Sequence, residues 1–393
     1  KILGIIAEYN PFHHGHNYQL QEAKALTQAD VVIVLMSGNV VQRGEFGILD
    51  KWQRADIACQ SGADLVVEAP LLASLQGADY FASWSMQCLS LIGCTYCLFG
   101  TESASAQDLE DFLTWEHEHH DRLQTQIRQR LKTGASYVAA MSQAVEELHP
   151  DLSFDYSASN HTLGIQYTKA NRFLEQPLKL IALPRISGLS GRVLLSGSQI
   201  RQKYQEDSLF PDDLPPLTFQ RLKNLKGVSW EDYWPFLKYQ LLCHEPKSLR
   251  TIFGMREGVE HLLLNQVAQA GSLEEYVAQR TSRRWTRVSL QRLLMATLLN
   301  ITDAQWQTYR ENWQNDPVAR VLACNKQGQT FLKQQRNRKI HLFANLTQPL
   351  SKSYGLNLRA DRIYKMNARG VVQDQIMGRY PFRIKADQNA KNG

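Results

Sequence analysis

Residues 1–20 read KILGIIAEYNPFHHGHNYQL, and this stretch decides how the rest of the chain is interpreted. Residues 2–7 form a short apolar run, which is typical of a buried parallel strand. The polar residues that follow break this pattern, and Pro11 lacks a backbone donor. A helical pattern becomes possible from Gly15 onward. The sequence therefore predicts a strand, a tight turn and a helix at the start of the chain.

Two histidines lie at the entrance of this predicted helix. His13 and His16 are three positions apart, which places their side chains roughly on one face. A helix N-terminus carries unpaired N–H groups and the positive end of the helix dipole, so it suits a phosphate. Gly15 has no Cβ and lets a phosphate chain approach the backbone closely. Both imidazoles are then placed to donate hydrogen bonds to oxygens that gain charge as pyrophosphate leaves.

Two other interpretations of the histidine pair stay open at this point. Neighbouring histidines can form part of a zinc site, or they can belong to an ordinary exposed turn. The pattern favours phosphate over zinc, because no Glu follows the first histidine as in HExxH and no third ligand is obvious nearby. The sequence thus identifies no protein ligand set for a metal ion.

Length and composition restrict the class of protein. A chain of 393 residues is long for one domain, so we expect two, and a hydrophobic content of 43% supplies real cores. No apolar run reaches the roughly 18 residues of a membrane span, and no signal-peptide pattern is visible. Six cysteines do not indicate a disulfide framework, so we expect a cytoplasmic protein. Cys94 and Cys97 lie in an apolar run, which favours buried strand cysteines over a redox or zinc site.

The charge is distributed unevenly along the chain. Residues 1–200 contain 14 Lys and Arg against 21 Asp and Glu, a net charge of −7. Residues 201–393 contain 30 against 17, a net charge of +13, and the two halves together give the total of +6. A basic second half indicates a polyanionic partner for that half, although a solvated basic surface with no partner would have the same composition.

The first half alternates between short apolar runs and helical patterns. This alternation predicts a parallel, Rossmann-like α/β sheet with right-handed crossovers. We expect strands near 2–7, 29–36, 64–69, 95–99 and 178–183, and helices near 51–60, 77–92, 109–141 and 160–170. Asp50 is predicted to cap the helix over 51–60.

The second half has a different sequence pattern, with a proline-rich linker followed by successive helical segments. Residues 211–216 read PDDLPP and form the clearest linker, with three prolines in six positions. Successive helices are expected near 219–249, 257–270, 272–282, 289–299 and 303–314. We therefore predict a catalytic domain over 1–210 and a mainly α-helical, basic domain over 217–393. Four arginines stand together in it as candidates for RNA phosphate contacts: Arg280, Arg283, Arg284 and Arg287.

Polar loops follow several of the predicted strands. Residues 42–45 (QRGE) follow the second strand, and residues 100–103 (GTES) follow the strand near 95–99. Ligands of open α/β sheets bind at this carboxyl edge. Ser198 is predicted to cap a further helix, and with Arg201 three residues later it is a candidate for a second phosphate site.

Ordered blocks along the chain resemble the tRNA(Met) cytidine acetate ligase family, within the HIGH-type nucleotidyltransferase superfamily that His-x-Gly-His after a first strand indicates. The blocks are Gly4 to Ile6, Glu8 to His13 with Gly15 and His16, Met36 to Asn39, Val41 to Glu45, Gly62 to Val66, Phe99 to Glu102, Ser157 to Asn160, Ser196 to Arg201, Arg284 to Arg292 and Arg320 to Leu322. The resemblance covers nearly the whole chain and is weakest after about residue 361.

The resemblance implies a reaction. ATP and acetate would form acetyl-adenylate and pyrophosphate, and the acetyl group would pass to N4 of the wobble cytidine of elongator tRNA(Met), releasing AMP. His13 and His16 would be catalytic, and Mg²⁺ is expected with the triphosphate, with ligands that the sequence does not name. The residues implied to bind ATP are Ile6, Ala7, Glu8, Tyr9, Asn10, Pro11, Phe12, His13, His14, Gly15, His16, Asn17, Tyr18, Gln19, Gly100, Asn160 and Arg185.

Two further functions are kept as alternatives. Enzymes with this motif include adenylyl- and cytidylyltransferases that act on small molecules, although such an activity leaves the basic second half unexplained. A non-catalytic RNA-binding protein that uses nucleotide only as a switch is the other alternative.

Overall fold

The structure is a computed structural model, and it describes residues 1–186, 188, 189, 192–334, 339–366 and 381–384. Its strands are β1 (Ile2–Ala7), β2 (Val31–Met36), β3 (Val40–Val41), β4 (Glu45–Phe46), β5 (Leu65–Glu68), β6 (Tyr96–Thr101), β7 (Lys179–Pro184), β8 (Gly188–Leu189), β9 (Arg192–Val193), β10 (Val318–Cys324), β11 (His341–Phe343) and β12 (Phe382–Arg383).

The helices alternate with these strands in the first half and follow one another in the second. They are α1 (His14–Thr27), α2 (Lys51–Gln60), α3 (Ala78–Ile92), α4 (Ala106–Glu118), α5 (His120–Lys132), α6 (Tyr137–Leu148), α7 (Ser159–Asn171), α8 (Gly197–Gln205), α9 (Pro216–Leu225), α10 (Trp234–Cys243), α11 (Pro246–Leu249), α12 (Val259–Leu264), α13 (Leu273–Arg280), α14 (Arg287–Leu298), α15 (Asp303–Asn315), α16 (Lys326–Gln334) and α17 (Ser351–Tyr364). None of the helices in the described ranges is both long and apolar enough to cross a membrane.

The main sheet confirms the predicted α/β class. Its order is β11-β10-β5-β2-β1-β6-β7, with β12 also paired to β10. The five strands of the first half run parallel to one another, and β1 lies in the middle with β2 on one side and β6 on the other. The chain thus winds outward in both directions from β1, which is the doubly wound arrangement of nucleotide-binding sheets.

Helices cover both faces of this sheet, as parallel strands require. Residues of β2 illustrate the division, because Val32 and Val34 pack into one apolar cluster while Ile33 and Leu35 pack into the other. The first cluster includes Leu20 of α1 and Trp52 of α2. The second extends through α3 and α7 into the helices of the second half.

The second half also contributes strands that the sequence analysis did not predict. β10 pairs antiparallel with β5, and β11 and β12 pair parallel with β10. All seven residues of β10 are buried. A seven-residue segment that is apolar except for Arg320 does not distinguish a buried strand from a helix segment, so its identity as a strand depends on pairing with β5, more than 240 residues earlier. The predicted helical domain therefore completes the sheet of the predicted catalytic domain.

The helix over 51–60 was predicted with its cap, and both are confirmed. Asp50 has an extended backbone, and its carboxylate accepts hydrogen bonds from the backbone N–H groups of Trp52 and Gln53. These bonds satisfy two of the amide groups that a helix start leaves without partners.

Candidate active site

The histidine turn lies at the point where the strand order reverses. β1 ends at Ala7 and β6 at Thr101, and the two strands are neighbours in the sheet. Chain connections leave β1 and β6 in opposite directions, which opens a crevice at their carboxyl ends. The loop after β1 leads directly into α1, so residues 8–16 line this crevice from one side.

His13 and His16 form a stacked pair at the first turn of α1. His13 is the N-cap residue, and the two ring centroids are 3.6 Å apart with the planes inclined by only 16°. The backbone N–H of His13 donates to Nδ1 of His16 over 3.3 Å. Nδ1 of His16 is therefore the acceptor nitrogen, and in the neutral ring the proton lies on Nε2.

The environment keeps both rings neutral. Burial lowers the pKa of His13 to about 4, with a smaller contribution from the positive charge of Arg185. Burial also lowers the pKa of His16, with contributions from His13 and Arg185. Nδ1 of His13 is buried and has no hydrogen-bond partner among the described residues. A buried imidazole nitrogen without a partner is costly, so this atom indicates a ligand that supplies one.

Gly15 allows this stacking. A Cβ at position 15 would lie 3.1 Å from Cε1 of His13 and 3.2 Å from its Nδ1. Both distances are tighter than ordinary van der Waals contact, so any larger residue would displace the ring. Gly15 is therefore required for the packing of the two histidines, in addition to its predicted role of letting a phosphate approach the backbone.

The loop between β1 and the histidines is held by three side chains. Asn10 accepts from the backbone N–H of Ile48 over 2.8 Å and donates through Nδ2 to Glu45 over 3.3 Å. Arg201 donates through Nη1 to the carbonyl of Asn10 over 2.7 Å and forms an ion pair with Glu45 over 3.0 Å. The guanidinium of Arg201 is therefore engaged with the loop, and the second phosphate site at Ser198 and Arg201 stays a prediction.

The prediction that Ser198 caps α8 is wrong. α8 begins at Gly197, and Ser196 is its N-cap, with its hydroxyl accepting from the N–H of Gln199. A Glu or Gln three residues after a Ser defines a capping box, and the Ser196–Gln199 pair fits that pattern while Ser198 does not. Ser198 instead hydrogen bonds to the hydroxyl of Ser196 over 3.1 Å.

Arg54 supports the loops of the candidate site, and the sequence pattern did not predict this role. Its side chain is fully buried and donates to the carbonyls of Glu8, Ser37, Gly38 and Leu49. It joins the loops that follow β1 and β2 through their backbones. Nothing in the local pattern of α2 distinguishes it, because its partners come from loops on two other strands.

The other wall of the crevice is built by β6, β7 and α7. Gly100 pairs with Leu183, and a Cβ there would lie 3.7 Å from Cγ of Arg185, so these two predicted residues are neighbours. Asn160 lies in the first turn of α7, and Glu102 accepts its side-chain Nδ2–H over 2.6 Å. The sheet thus brings Arg185, Gly100 and Asn160 to the same edge as the histidine pair.

The remaining predicted residues lie along the same turn and helix. Tyr9 and Phe12 are fully buried, and the Tyr9 ring contacts both Phe12 and His16 at centroid distances of 4.9 and 4.8 Å. The Tyr9 hydroxyl has no partner among the described residues, and burial raises its pKa. His14 Nε2 lies 3.3 Å from the carbonyl of Asp212. Ile6, Ala7 and Pro11 precede the helix, and Asn17, Tyr18 and Gln19 lie in its first two turns.

The four arginines of the second half differ from one another. Arg280 is buried, stacks 3.7 Å above the Tyr276 ring and donates to the carbonyls of Leu262, Asn265 and Tyr276. These contacts remove Arg280 from the RNA candidates, because its donors join α13 to the C-terminal end of α12. The other three are exposed. Arg287 donates hydrogen bonds from its guanidinium to both carboxylate oxygens of Glu274.

A buried charge cluster connects the second half to the sheet. Lys51 donates from Nζ to both oxygens of Glu68, to Asp361 over 2.6 Å and to the Tyr354 hydroxyl over 2.8 Å. All four side chains are buried, as is Arg320 nearby. Burial raises the pKa of Asp361, while Lys51 opposes this effect. The positive charges of Lys51 and Arg320 balance the two carboxylates.

No metal centre is visible in the ranges that the structure describes, where no three His, Cys, Asp or Glu side chains are grouped to hold an ion. The histidine pair has no carboxylate or thiolate completing a zinc set there.

Comparison with known proteins gives the family. The HIGH Nucleotidyl Transferase family matches residues 1–377. The tRNA(Met) cytidine acetate ligase of Ligilactobacillus salivarius is 33% identical over 378 residues, covering 93% of this chain and 96% of the relative. The enzyme of the same name from Lactiplantibacillus plantarum is 34% identical over 397 residues, covering 98% of each chain. The chain belongs to the tRNA(Met) cytidine acetate ligase family.

Solved structures give the same fold for this family member. The apo crystal structure of Thermotoga maritima TmcAL superposes with a TM-score of 0.84 at 23% identity, covering 98% of this chain and all of that one. The same protein bound with alpha-thio ATP gives a TM-score of 0.84 at 24% identity. The predicted α/β nucleotidyltransferase class and the predicted family are both confirmed.

Proposed function

We propose that the chain uses ATP to ligate acetate to N4 of the wobble cytidine of elongator tRNA(Met), producing N4-acetylcytidine, AMP and pyrophosphate. The observation that carries this proposal is the neutral, stacked His13–His16 pair at the strand-order reversal, in a chain whose relatives along nearly its whole length are named tRNA(Met) cytidine acetate ligases.

ATP is proposed to lie across the crevice between β1 and β6. The triphosphate would meet the N-terminus of α1, where the unpaired N–H groups and the histidines provide donors. Nδ1 of His13 is a buried nitrogen without a partner in the described structure, which supports a ligand at this position. The nucleoside would extend toward Gly100, Asn160 and Arg185, which share the same edge.

The first step is attack on the α-phosphorus. One carboxylate oxygen of acetate forms a bond to this phosphorus while the bond to the bridging oxygen of the β-phosphate breaks, and pyrophosphate leaves with the electron pair. Negative charge accumulates on the departing oxygens. The Nε2–H of His16 and the imidazole of His13 are proposed to donate hydrogen bonds to them. A neutral ring serves this purpose without the cost of burying a cation.

The second step transfers the acetyl group. The cytidine N4 attacks the carbonyl carbon of acetyl-adenylate, the bond from this carbon to the AMP oxygen breaks, and N4 releases a proton. AMP leaves with its phosphate near Arg185, whose guanidinium is suited to a phosphate group. The mixed anhydride thus preserves the energy of ATP cleavage until the amide bond forms.

Magnesium is proposed to enter with the nucleotide. Mg²⁺ is commonly held by substrate phosphates, one or two carboxylates and water. The described residues offer no group of three His, Cys, Asp or Glu side chains for it, so we assign it no protein ligands.

The tRNA is proposed to bind the exposed arginines of the second half. Arg283 and Arg284 are exposed, and Arg287 lies close enough to Glu45 for the two charges to interact. Glu45 also contacts Asn10 and Arg201, so this basic segment adjoins the loop that holds the histidine turn. RNA bound there would present an anticodon base toward the crevice.

One incubation separates this proposal from its alternatives. The protein is mixed with ATP, acetate and total tRNA, and the nucleosides are analysed by mass spectrometry. Acetylcytidine that requires both ATP and acetate supports the proposal. Pyrophosphate release with a small-molecule nucleotidyl product and no RNA change indicates a small-molecule nucleotidyltransferase instead. A protein that binds both ATP and RNA but turns over no substrate is a non-catalytic binding protein instead.

A further inference from the structure

Glu102 organises the start of α7 beside the crevice. Its Oε1 accepts from the backbone N–H of Asn160 over 3.3 Å and from the Asn160 side-chain Nδ2–H over 2.6 Å. Its Oε2 accepts from the backbone N–H of His161 over 3.1 Å. One carboxylate therefore caps the helix and contacts the side chain of its second residue.

These contacts permit only one orientation of the Asn160 amide. An ionised carboxylate accepts hydrogen bonds and donates none, so the atom 2.6 Å from it must be the amide nitrogen. Turning the amide over would place its oxygen against the carboxylate and exchange an attraction for a repulsion. The carbonyl oxygen Oδ1 is left available, and no described residue donates to it.

His161 fixes the surrounding loop. Its Nε2 accepts from the backbone N–H groups of Ser103 and Ala104 over 2.9 and 3.1 Å, and its Nδ1 lies 2.7 Å from the carbonyl of Asp155. The proton is therefore on Nδ1, and the loop after β6 is tied to the first turn of α7. This tie gives Glu102 a defined position relative to Asn160.

We propose that Glu102 is a positioning residue that makes Asn160 a hydrogen-bond acceptor only, so that Asn160 selects a donor group on the nucleotide. This inference rests on the proposed ATP site and adds a specificity to it. ATP has two kinds of donor at its nucleoside end, the 6-amino group of adenine and the ribose hydroxyls. Both share the chemistry that Oδ1 recognises, and analogues that each lack one donor distinguish them.

The test measures direct binding by isothermal titration calorimetry, without acetate or tRNA. The ligands are ATP, purine riboside triphosphate, 2′-deoxy-ATP and 3′-deoxy-ATP, and the proteins are the parent and Glu102→Gln. The Gln amide can donate to Oδ1 and turn the Asn160 amide over. We expect the parent to bind one analogue about tenfold more weakly than ATP, the scale of one neutral hydrogen bond. Glu102→Gln should lose this discrimination, because it should weaken ATP and the two analogues that keep the recognised donor while leaving the affinity of the third analogue unchanged.

Two controls keep the result interpretable. Asp108→Asn removes a carboxylate that caps α4 in the same way, through Ser105, and should leave all four affinities unchanged. Asn160→Ala should lose the same discrimination as Glu102→Gln. This variant keeps Glu102 as the helix cap, so it tests the inference even if Glu102→Gln unfolds the start of α7.

Two outcomes would overturn the inference. One is a parent protein that binds all three analogues as tightly as ATP, and the other is a Glu102→Gln protein that weakens all four ligands by the same factor. A parent that binds no ATP at all would instead overturn the proposed function, so the two failures are distinguishable.

Discussion

At the scale of single residues, His16 is proposed to act through Nε2 alone, because its Nδ1 already accepts from the His13 backbone. Replacing His16 with Ala removes the Nε2–H proposed to stabilise departing pyrophosphate. We expect turnover to fall by about 10²-fold or more, the scale for losing one such donor. ATP-dependent pyrophosphate release in the presence of acetate measures the effect. His117→Ala, an exposed histidine on α4, is the control, and near-normal release by His16→Ala and His13→Ala would refute the assignment.

The pKa of His13 gives a second prediction. It is about 4 in the folded chain and about 6.5 in an unfolded one, so between these values the unfolded state binds more protons. Stability therefore increases with pH across this window and is lost as the pH falls from about 6.5 toward 4. We expect His13 to contribute a slope of up to about 1.4 kcal/mol per pH unit.

Urea denaturation of the parent and of His13→Gln between pH 4.5 and 7.5 checks this slope. The Gln variant cannot titrate at this position, so its stability should decrease less steeply on acidification. Stability curves that remain parallel over the whole range would contradict the lowered pKa of His13.

Much of the local structure of the candidate site was predictable, because residues 8–16 are contiguous and their arrangement follows from a strand, a turn and a helix start. The contacts of Arg54 and Arg280 were not predictable. Both bond mainly to backbone carbonyls, some of them in distant loops, and a sequence gives no sign that a particular arginine faces carbonyls rather than solvent.

At the scale of elements, α17 is anchored to α2 and β5 by the Lys51 cluster. Replacing Lys51 with Met leaves Glu68 and Asp361 buried without their shared cation. Breaking a buried ion pair by removing one partner costs about 3–5 kcal/mol. We expect the free energy of unfolding to decrease by this amount, as measured by urea denaturation.

Lys24→Met is the matched control for this prediction. Lys24 pairs with Asp64 over 3.1 Å, and 46% of the Lys24 side chain is exposed while Asp64 is buried. Asp64 keeps its hydrogen bonds from Val32 and Asn325 when Lys24 is removed, and water screens the exposed ammonium, so we expect a loss of about 1 kcal/mol or less. Equal losses of stability in the two variants would mean that burial of the Lys51 cluster has no energetic consequence.

Element prediction succeeded where the evidence is local and failed where it is not. The α2 helix and its Asp50 cap follow from adjacent residues, and so does the β1–α1 unit. The strand β10 is a short segment, apolar except for Arg320, whose identity as a strand depends on β5 as a partner. The Lys51 cluster joins positions that are up to 310 residues apart, and no pattern in the sequence pairs them.

At the scale of the whole molecule, charge separates the acidic first half from the basic second half. We expect replacing both Arg283 and Arg284 with Ala to weaken tRNA binding broadly, because phosphate contacts position RNA without reading its bases. The slope of log affinity against log salt should become shallower by about 1.5, from two lost contacts at roughly 0.7–0.9 each. Filter binding at several salt concentrations provides the measurement.

The control for this pair is Arg122→Ala with Arg128→Ala, which removes the same charge from exposed positions on α5. Pyrophosphate release with ATP and acetate should persist in both double variants, since adenylation is assigned to the crevice. Unchanged affinity of the Arg283 and Arg284 variant at every salt concentration would exclude this segment as an RNA contact.

The antiparallel pairing of β10 with β5 has a consequence for synthesis of the chain. While the ribosome is still making residues 69 to 317, the backbone edge of β5 has no strand to cover it on that side. An uncovered strand edge is a template for pairing with other chains. Closing it joins segments more than 240 residues apart, the kind of non-local contact that slows folding. The nascent protein therefore carries an uncovered strand edge through most of its translation, and this edge can pair with other chains until β10 is made.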